Sequence, residues 1–207
     1  VQVSAEVVTI FANTGDLASN FATVQGDANS IVSDETGELH LYDFSTSDKP
    51  EAYVYLDTPL TEGFRIDFKF RNVSAANYTE GTTERASDGE IRFRFGNGAT
   101  DPSSNSKTGL QVGFKYNGDF RYAYDNGSGG LSTSSAEGTQ DIGTNYNVTI
   151  VANNSVTDSL DFNFGGTDYT LASLTYSIFI DGAEANLDIL LQTGDSALTK
   201  GFFYSHH

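Results

Sequence analysis

The sequence contains no cysteine, which excludes disulfides, thiolate chemistry and every zinc site built on Cys ligands. A bound metal must therefore sit on oxygen. Tryptophan and methionine are also absent, so a core has to come from the 15 Phe together with Ile, Leu and Val. Only 11 of the 207 residues are Lys or Arg, against 28 Asp or Glu, for a formal net charge of -17. Phosphate binding needs a basic surface, so nucleic acid is excluded as a partner, and an anionic membrane with it. No apolar run approaches the ~20 residues that span a bilayer, which excludes membrane insertion by a helix. No leader of basic and apolar residues opens the chain. It reads as the mature piece of a secreted or cell-surface protein, a monomeric module of a larger one, with residues 1–205 as one domain and His206-His207 as a tag remnant.

Short strand-like runs alternate with segments rich in Gly, Ser, Thr, Asn and Asp, and no helix-period stretch exceeds a turn or two. The expected fold class is all-β, a two-sheet antiparallel β-sandwich of the jelly-roll kind. Strands are expected at 6–11, 38–44, 52–57, 63–71, 90–95, 110–116 and 120–124, then at 146–152, 159–164, 168–171, 175–181, 187–193 and 201–205. Side chains alternate along a strand. Phe64, Ile66, Phe68 and Phe70 therefore share a core face, with Arg65, Asp67, Lys69 and Arg71 on the other. The same parity buries Ile91, Phe93 and Phe95 and turns Glu90, Arg92 and Arg94 outward. Segments 74–89, 96–109 and 125–143 read as long loops.

Asn117-Gly118 is a signature for a two-residue type I′ hairpin. That register pairs Lys115 with Phe120, Gly113 with Tyr122 and Gln111 with Tyr124, placing Gln111, Lys115, Phe120, Tyr122 and Tyr124 on one face.

The placement of charge says more than its total. Residues 63–124 hold nine of the eleven basic side chains, largely on strands. If those strands neighbour one another, Arg92, Arg94, Lys115, Tyr122 and Tyr124, with Arg65, Lys69 and Arg71 in support, form a cationic, tyrosine-bearing surface on an otherwise anionic protein. Arg presents a planar fork that matches carboxylate or sulfate, and Tyr rings stack on sugar faces. The plainer reading is a solvated sheet face with surface ion pairs, which contribute little.

Calcium needs hard oxygen ligands, and Asn13, Asp16, Glu38 and Asp188 are candidates for a structural Ca2+, although no segment has the spacing of an EF-hand loop. Turn formation or capping is the commoner use of such residues. A nucleophilic Ser triad has no support, since His40 is the one histidine away from the C-terminus and no Gly-x-Ser-x-Gly elbow occurs.

The strand order Gly37-Glu-Leu-His-Leu-Tyr-Asp43, Ala52-Tyr-Val-Tyr-Leu-Asp57, Gly63-Phe-Arg-Ile-Asp-Phe-Lys-Phe70, Ile91-Arg-Phe-Arg-Phe95, Tyr146-Asn-Val-Thr-Ile150, Tyr176-Ser-Ile-Phe-Ile-Asp-Gly182 and Gly201-Phe-Phe-Tyr204 resembles the concanavalin A-like jelly-roll superfamily. That superfamily contains laminin G-like domains, carbohydrate-binding modules and polysaccharide lyases. The resemblance implies glycan binding on a sheet or loop rim, and often a structural calcium. Its alginate-lyase branch carries Arg-x-Glu-x-Arg, Gln-x-His and Tyr-x-Lys-x-Gly strands. Here Glu90-Ile-Arg92-Phe-Arg94 echoes the first in part, the second is missing, and Val112-Gly-Phe-Lys-Tyr116 is a poor version of the third.

The sequence therefore points to a non-catalytic carbohydrate-binding module for an acidic polysaccharide bearing uronate or sulfate. One alternative is a jelly-roll lyase acting on a uronic-acid polymer, drawing on His40, Tyr42, Arg92, Arg94, Lys115 and Tyr122. A second is a protein-binding adhesin domain.

Overall fold

Aromatic residues at every second position must leave water on one face of a strand, and two such faces bury each other. The computed structural model describes residues 6–9, 23–25, 30–35, 38–43, 51–71, 90–97, 108–115, 118–141, 143–192 and 198–206, with side chains from residue 51 onward except 54–59, 202, 205 and 206. None of the described residues is helical.

The larger sheet runs in the order β10 (Leu131–Thr133), β9 (Asp119–Asp125), β8 (Thr108–Lys115), β7 (Glu90–Gly96), β17 (Leu198–His206), β5 (Glu51–Leu60) and β2 (Thr23–Gln25), with β11 (Gly138–Thr139) also pairing β9. The smaller is β1 (Glu6–Thr9), β6 (Gly63–Arg71), β12 (Asn145–Asn153), β15 (Thr175–Ile180) and β16 (Ala183–Leu190). Two ribbons stand apart, β3 (Ser30–Glu35) with β4 (Glu38–Asp43), and β13 (Leu160–Phe164) with β14 (Thr167–Leu171).

The alternation in β6 and β7 positions the interior as expected. Among the described residues, four Phe–Phe contacts tie the small sheet to the large one: Phe64 with Phe95 at 5.8 Å between ring centroids, Phe68 with Phe93 at 5.1 Å and edge-on to Phe203 at 5.6 Å, and Phe70 stacked on Phe114 at 3.9 Å. Burying each Phe is worth about 1.5–3 kcal/mol. On the far side of the small sheet the β13–β14 ribbon packs Phe162, Phe164 and Tyr169 around Phe179, making a second, smaller core.

The all-β, antiparallel sandwich expected from the sequence is the fold found, with one parallel pair, β1 with β6; the long chain between them supplies the crossover such pairing needs. Some local expectations are corrected. Segment 125–143 is not all loop, since β10 and β11 return to the edge of β9. Both are too short and polar to show alternation. Segment 74–89 lies outside the described residues, as does most of 96–109, whose last two residues belong to β8. β17 extends to His206, which lies opposite Glu90.

The β8–β9 hairpin is also corrected, by one residue. Phe114 opposes Phe120, Gly113 opposes Arg121, and Gln111 opposes Ala123. Gly118 takes φ +88° and its N–H donates to the Lys115 carbonyl at 2.9 Å. The glycine therefore closes a longer loop instead of occupying the second place of a type I′ turn. A one-residue slip flips every side chain to the opposite face.

Candidate functional site

The slip decides which residues share the outer face of the large sheet. Arg121 moves onto it, while Tyr122 turns inward against the main core and Tyr124, 37% exposed, sits beside Tyr122 at 6.3 Å. Gln111 and Lys115 remain on the outer face. Register across β7, β17 and β5 adds Glu90, Arg92, Arg94, Tyr204, Lys200, Tyr53 and Glu51. Arg65, Lys69 and Arg71 lie on β6, in the other sheet. Their outward faces are separated from Arg92 and Arg94 by the whole sandwich, so the eight expected contacts do not form one surface. Arg65 has its own partners there, Asp67 at 2.8 Å and the Phe164 ring at 5.2 Å.

Outer sheet faces normally carry solvated charge, but here the charged groups are buried. Glu90, Arg94 and Lys200 are each 4% exposed, and Gln111 and Tyr204 1%. Charged side chains are almost never this buried unless paired, and these are paired. Arg92 donates to Glu90 Oε2 from Nε at 3.0 Å and from Nη2 at 2.9 Å, and from Nη1 to the Tyr204 hydroxyl at 3.2 Å. Arg94 Nε donates to Gln111 Oε1 at 2.5 Å, and its guanidinium lies 5.2 Å from the centre of the Tyr204 ring. Lys200 Nζ stands 4.0 Å from the centre of the Tyr53 ring, a cation–π contact. The Tyr53 hydroxyl donates to Glu51 Oε2.

These contacts set the protonation of the site. Burial pushes the Tyr204 hydroxyl up from its ordinary pKa, and the attraction of Arg94 and Arg92 pulls it back without winning. Tyr204 is therefore a neutral phenol at neutral pH, able to donate a proton. Burial works against the charge on Arg92, but Tyr204 and Glu90 outweigh it and hold its pKa above the usual value.

Of the calcium candidates, Asn13 and Asp16 lie outside the described residues, as does the side chain of Glu38. Asp188 is explained locally. Tyr176 opposes Ile189 and Ile178 opposes Asn186, so two residues of β16 bulge opposite Ser177. Asp188 takes φ +53° in that bulge, and its N–H approaches Ser177 Oγ at 3.4 Å. Among the described residues no group of three or more His, Asp or Glu side chains is placed to hold a metal ion. His40 opposes Ser33 in the β3–β4 ribbon, and its side chain and that of Tyr42 lie outside the described residues.

Sequence reasoning did not single out Tyr204, Lys200, Glu90, Gln111 or Arg121 as site residues. Lys200 and Tyr204 fall two steps apart on one face of β17, a signal present in the sequence. Their neighbours on β7 lie about a hundred residues away, and only topology brings them together.

No family model matches this sequence, and no curated protein matches it. Solved structures do. The carbohydrate recognition domain of Emp46p, in a potassium-bound form, is 13% identical with a TM-score of 0.53, covering 92% of this chain and 84% of that one. A variant of the alginate lyase Aly36B, in complex with alginate trisaccharide, is 20% identical with a TM-score of 0.51, covering 95% and 82%. Such likeness concerns the fold, and it agrees with the strand order read from the sequence: this chain has the concanavalin A-like jelly-roll fold.

Proposed function

We propose that the outer face of the large sheet binds an acidic polysaccharide, with Arg94 and Gln111 at its centre. The observation that carries this reading is the buried Arg94–Gln111–Tyr204–Arg92–Glu90 network on a sheet face. Burying charges in pairs adds little stability over apolar residues of the same size, so such a network serves recognition better than folding. An arginine fork beside an amide suits a carboxylate. The solved neighbours support a saccharide on this fold, one being a carbohydrate recognition domain and another a lyase holding alginate trisaccharide.

Titration of the chain with polygalacturonate, alginate and glucuronan tests the proposal. Binding to at least one, lost in Arg94→Gln, is expected. Absence of binding to any acidic polysaccharide overturns it.

A second reading, uronate β-elimination, is favoured by Tyr204. Tyr204, between two arginines, is suited to carry one proton through the reaction: its phenolate takes the α-proton of a uronate whose carboxylate Arg94 and Gln111 hold, and the phenol so formed returns that proton to the departing glycosidic oxygen. Ultraviolet absorbance from an unsaturated uronate product, abolished in Tyr204→Phe, is the expected sign. Binding without such product leaves the face as a recognition surface alone.

A further inference from the structure

Gly113 lies at the middle of this face, opposite Arg92 on one side and Arg121 on the other. A β-carbon there would lie 1.7 Å from Glu90 Oε1 and 2.7 Å from its Cδ. The Glu90 carboxylate therefore occupies the space that any side chain at 113 would need. Its Oε2 takes both bonds from Arg92, whereas the buried Oε1 has no hydrogen-bond partner. Two buried donors nearby are in the same state: Nε2 of Gln111, whose Oε1 is held by Arg94, and Nε of Arg121. Buried polar atoms are nearly always satisfied. One acceptor and two donors left open around a single glycine describe the complement of a ligand.

We infer that Glu90, Gln111 and Arg121 form a subsite around Gly113 that grips one sugar ring, with a free ring hydroxyl donating to Glu90 Oε1 and a carboxylate oxygen accepting from Arg121 and Gln111. This rests on the acidic-polysaccharide reading and narrows its ligand. A carboxylate oxygen only accepts, so the ring must bring a hydrogen to it. O-acetylation removes that hydrogen, and a sulfate ester removes it while adding a like charge. The subsite thus selects a uronate with free hydroxyls over sulfated or acetylated polymers. Gly113 is required because Glu90 reaches across it.

The test compares the wild-type chain with Glu90→Gln and Arg121→Gln. Ligands are whichever of polygalacturonate, alginate and glucuronan the wild type binds best, the same polymer O-acetylated, and dextran sulfate. A hydrogen bond to a charged group corresponds to about a tenfold change in affinity or more. Acetylation is expected to weaken wild-type binding by about that factor. Glu90→Gln keeps an oxygen for Arg92 but presents N–H to the ring. It is expected to lose about tenfold on the free polymer, to lose nothing further on acetylation, and to gain on dextran sulfate. Arg121→Gln is expected to lose about tenfold on the free polymer without a change in melting temperature. If Glu90→Gln does not fold, Arg121→Gln and the acetylated polymer decide the matter. Variants that bind like wild type, or an acetylation effect unchanged in Glu90→Gln, overturn the inference and leave an ordered water as the partner of these atoms. A wild-type chain that binds no acidic polymer overturns the functional proposal and the subsite together.

Discussion

Replacing Tyr176 by Phe removes one oxygen from the interior, and the structure sets the size of the effect. Tyr176 is fully buried on β15 and crosses the core to the large sheet, where its hydroxyl bonds the Ala123 carbonyl and lies 3.3 Å from that of Gln111. Ala123 and Gln111 are the last register pair between β8 and β9. The phenol therefore fastens the two strands where their ladder ends, directly behind the Gln111 side chain. Phe fills the same ring volume, so the transfer term is small and the loss is that of a buried acceptor left without its donor, about 1–3 kcal/mol. For a domain of this length each kcal/mol moves the melting temperature by about 2–4 °C, giving a fall of about 2–12 °C. Calorimetry with urea titration measures it, and the urea m-value should be unchanged because no extra surface is exposed. Tyr124→Phe, at an exposed ring, is the control. Equal shifts in the two variants would mean that the buried hydroxyl does not fasten the two strands.

Other consequences follow from the same physics. Gly118 combines φ +88° with the Gln140 carbonyl oxygen 2.1 Å from where a β-carbon would sit, so Gly118→Ala should lower stability by more than the ~1–2 kcal/mol of left-handed strain alone, as read by urea unfolding. Phe93, 1% exposed and in contact with the rings of Phe68 and Phe203, should cost about 3–5 kcal/mol when cut to Ala. Burial raises the hydroxyl pKa of Tyr176, Tyr204 and Tyr122 above the ordinary value. The fold holds these groups neutral, so their contribution is complete below about pH 10, where unfolded tyrosine begins to ionise, and is lost as pH rises through the folded values. Melting temperature should therefore fall above about pH 10, less steeply in Tyr176→Phe; equal slopes would contradict this.

The interior was legible because alternation is a local property. Phe64, Ile66, Phe68 and Phe70 on one strand, and Phe93 and Phe95 on another, announce their buried face without knowledge of a partner. The polar face was legible only in part. Arg92 and Arg94 were identified, but Arg65, Lys69 and Arg71 lie on the opposite sheet. Parity states that a residue faces outward, not which sheet it faces outward from. Tyr122 and Tyr124 were set on the wrong face by one residue of loop length, since Asn-Gly admits both the shorter turn and the longer loop closed by Gly118. Tyr204 and Lys200 needed the topology, because β17 enters the sheet between β7 and β5 from the far end of the chain. Nor does the sequence show that Glu90 and Arg94, outward by parity, are buried within a network.

The large sheet's outer face, and not the small sheet's, is the face proposed to recognise an acidic saccharide. Calorimetric titration of the full chain with the uronate polymer it binds best, repeated with Arg94→Gln and with Arg65→Gln on the opposite face, tests it most directly. A loss of about tenfold or more is expected for Arg94→Gln, with wild-type affinity kept in Arg65→Gln. An equal loss in both, or loss in Arg65→Gln alone, would contradict it.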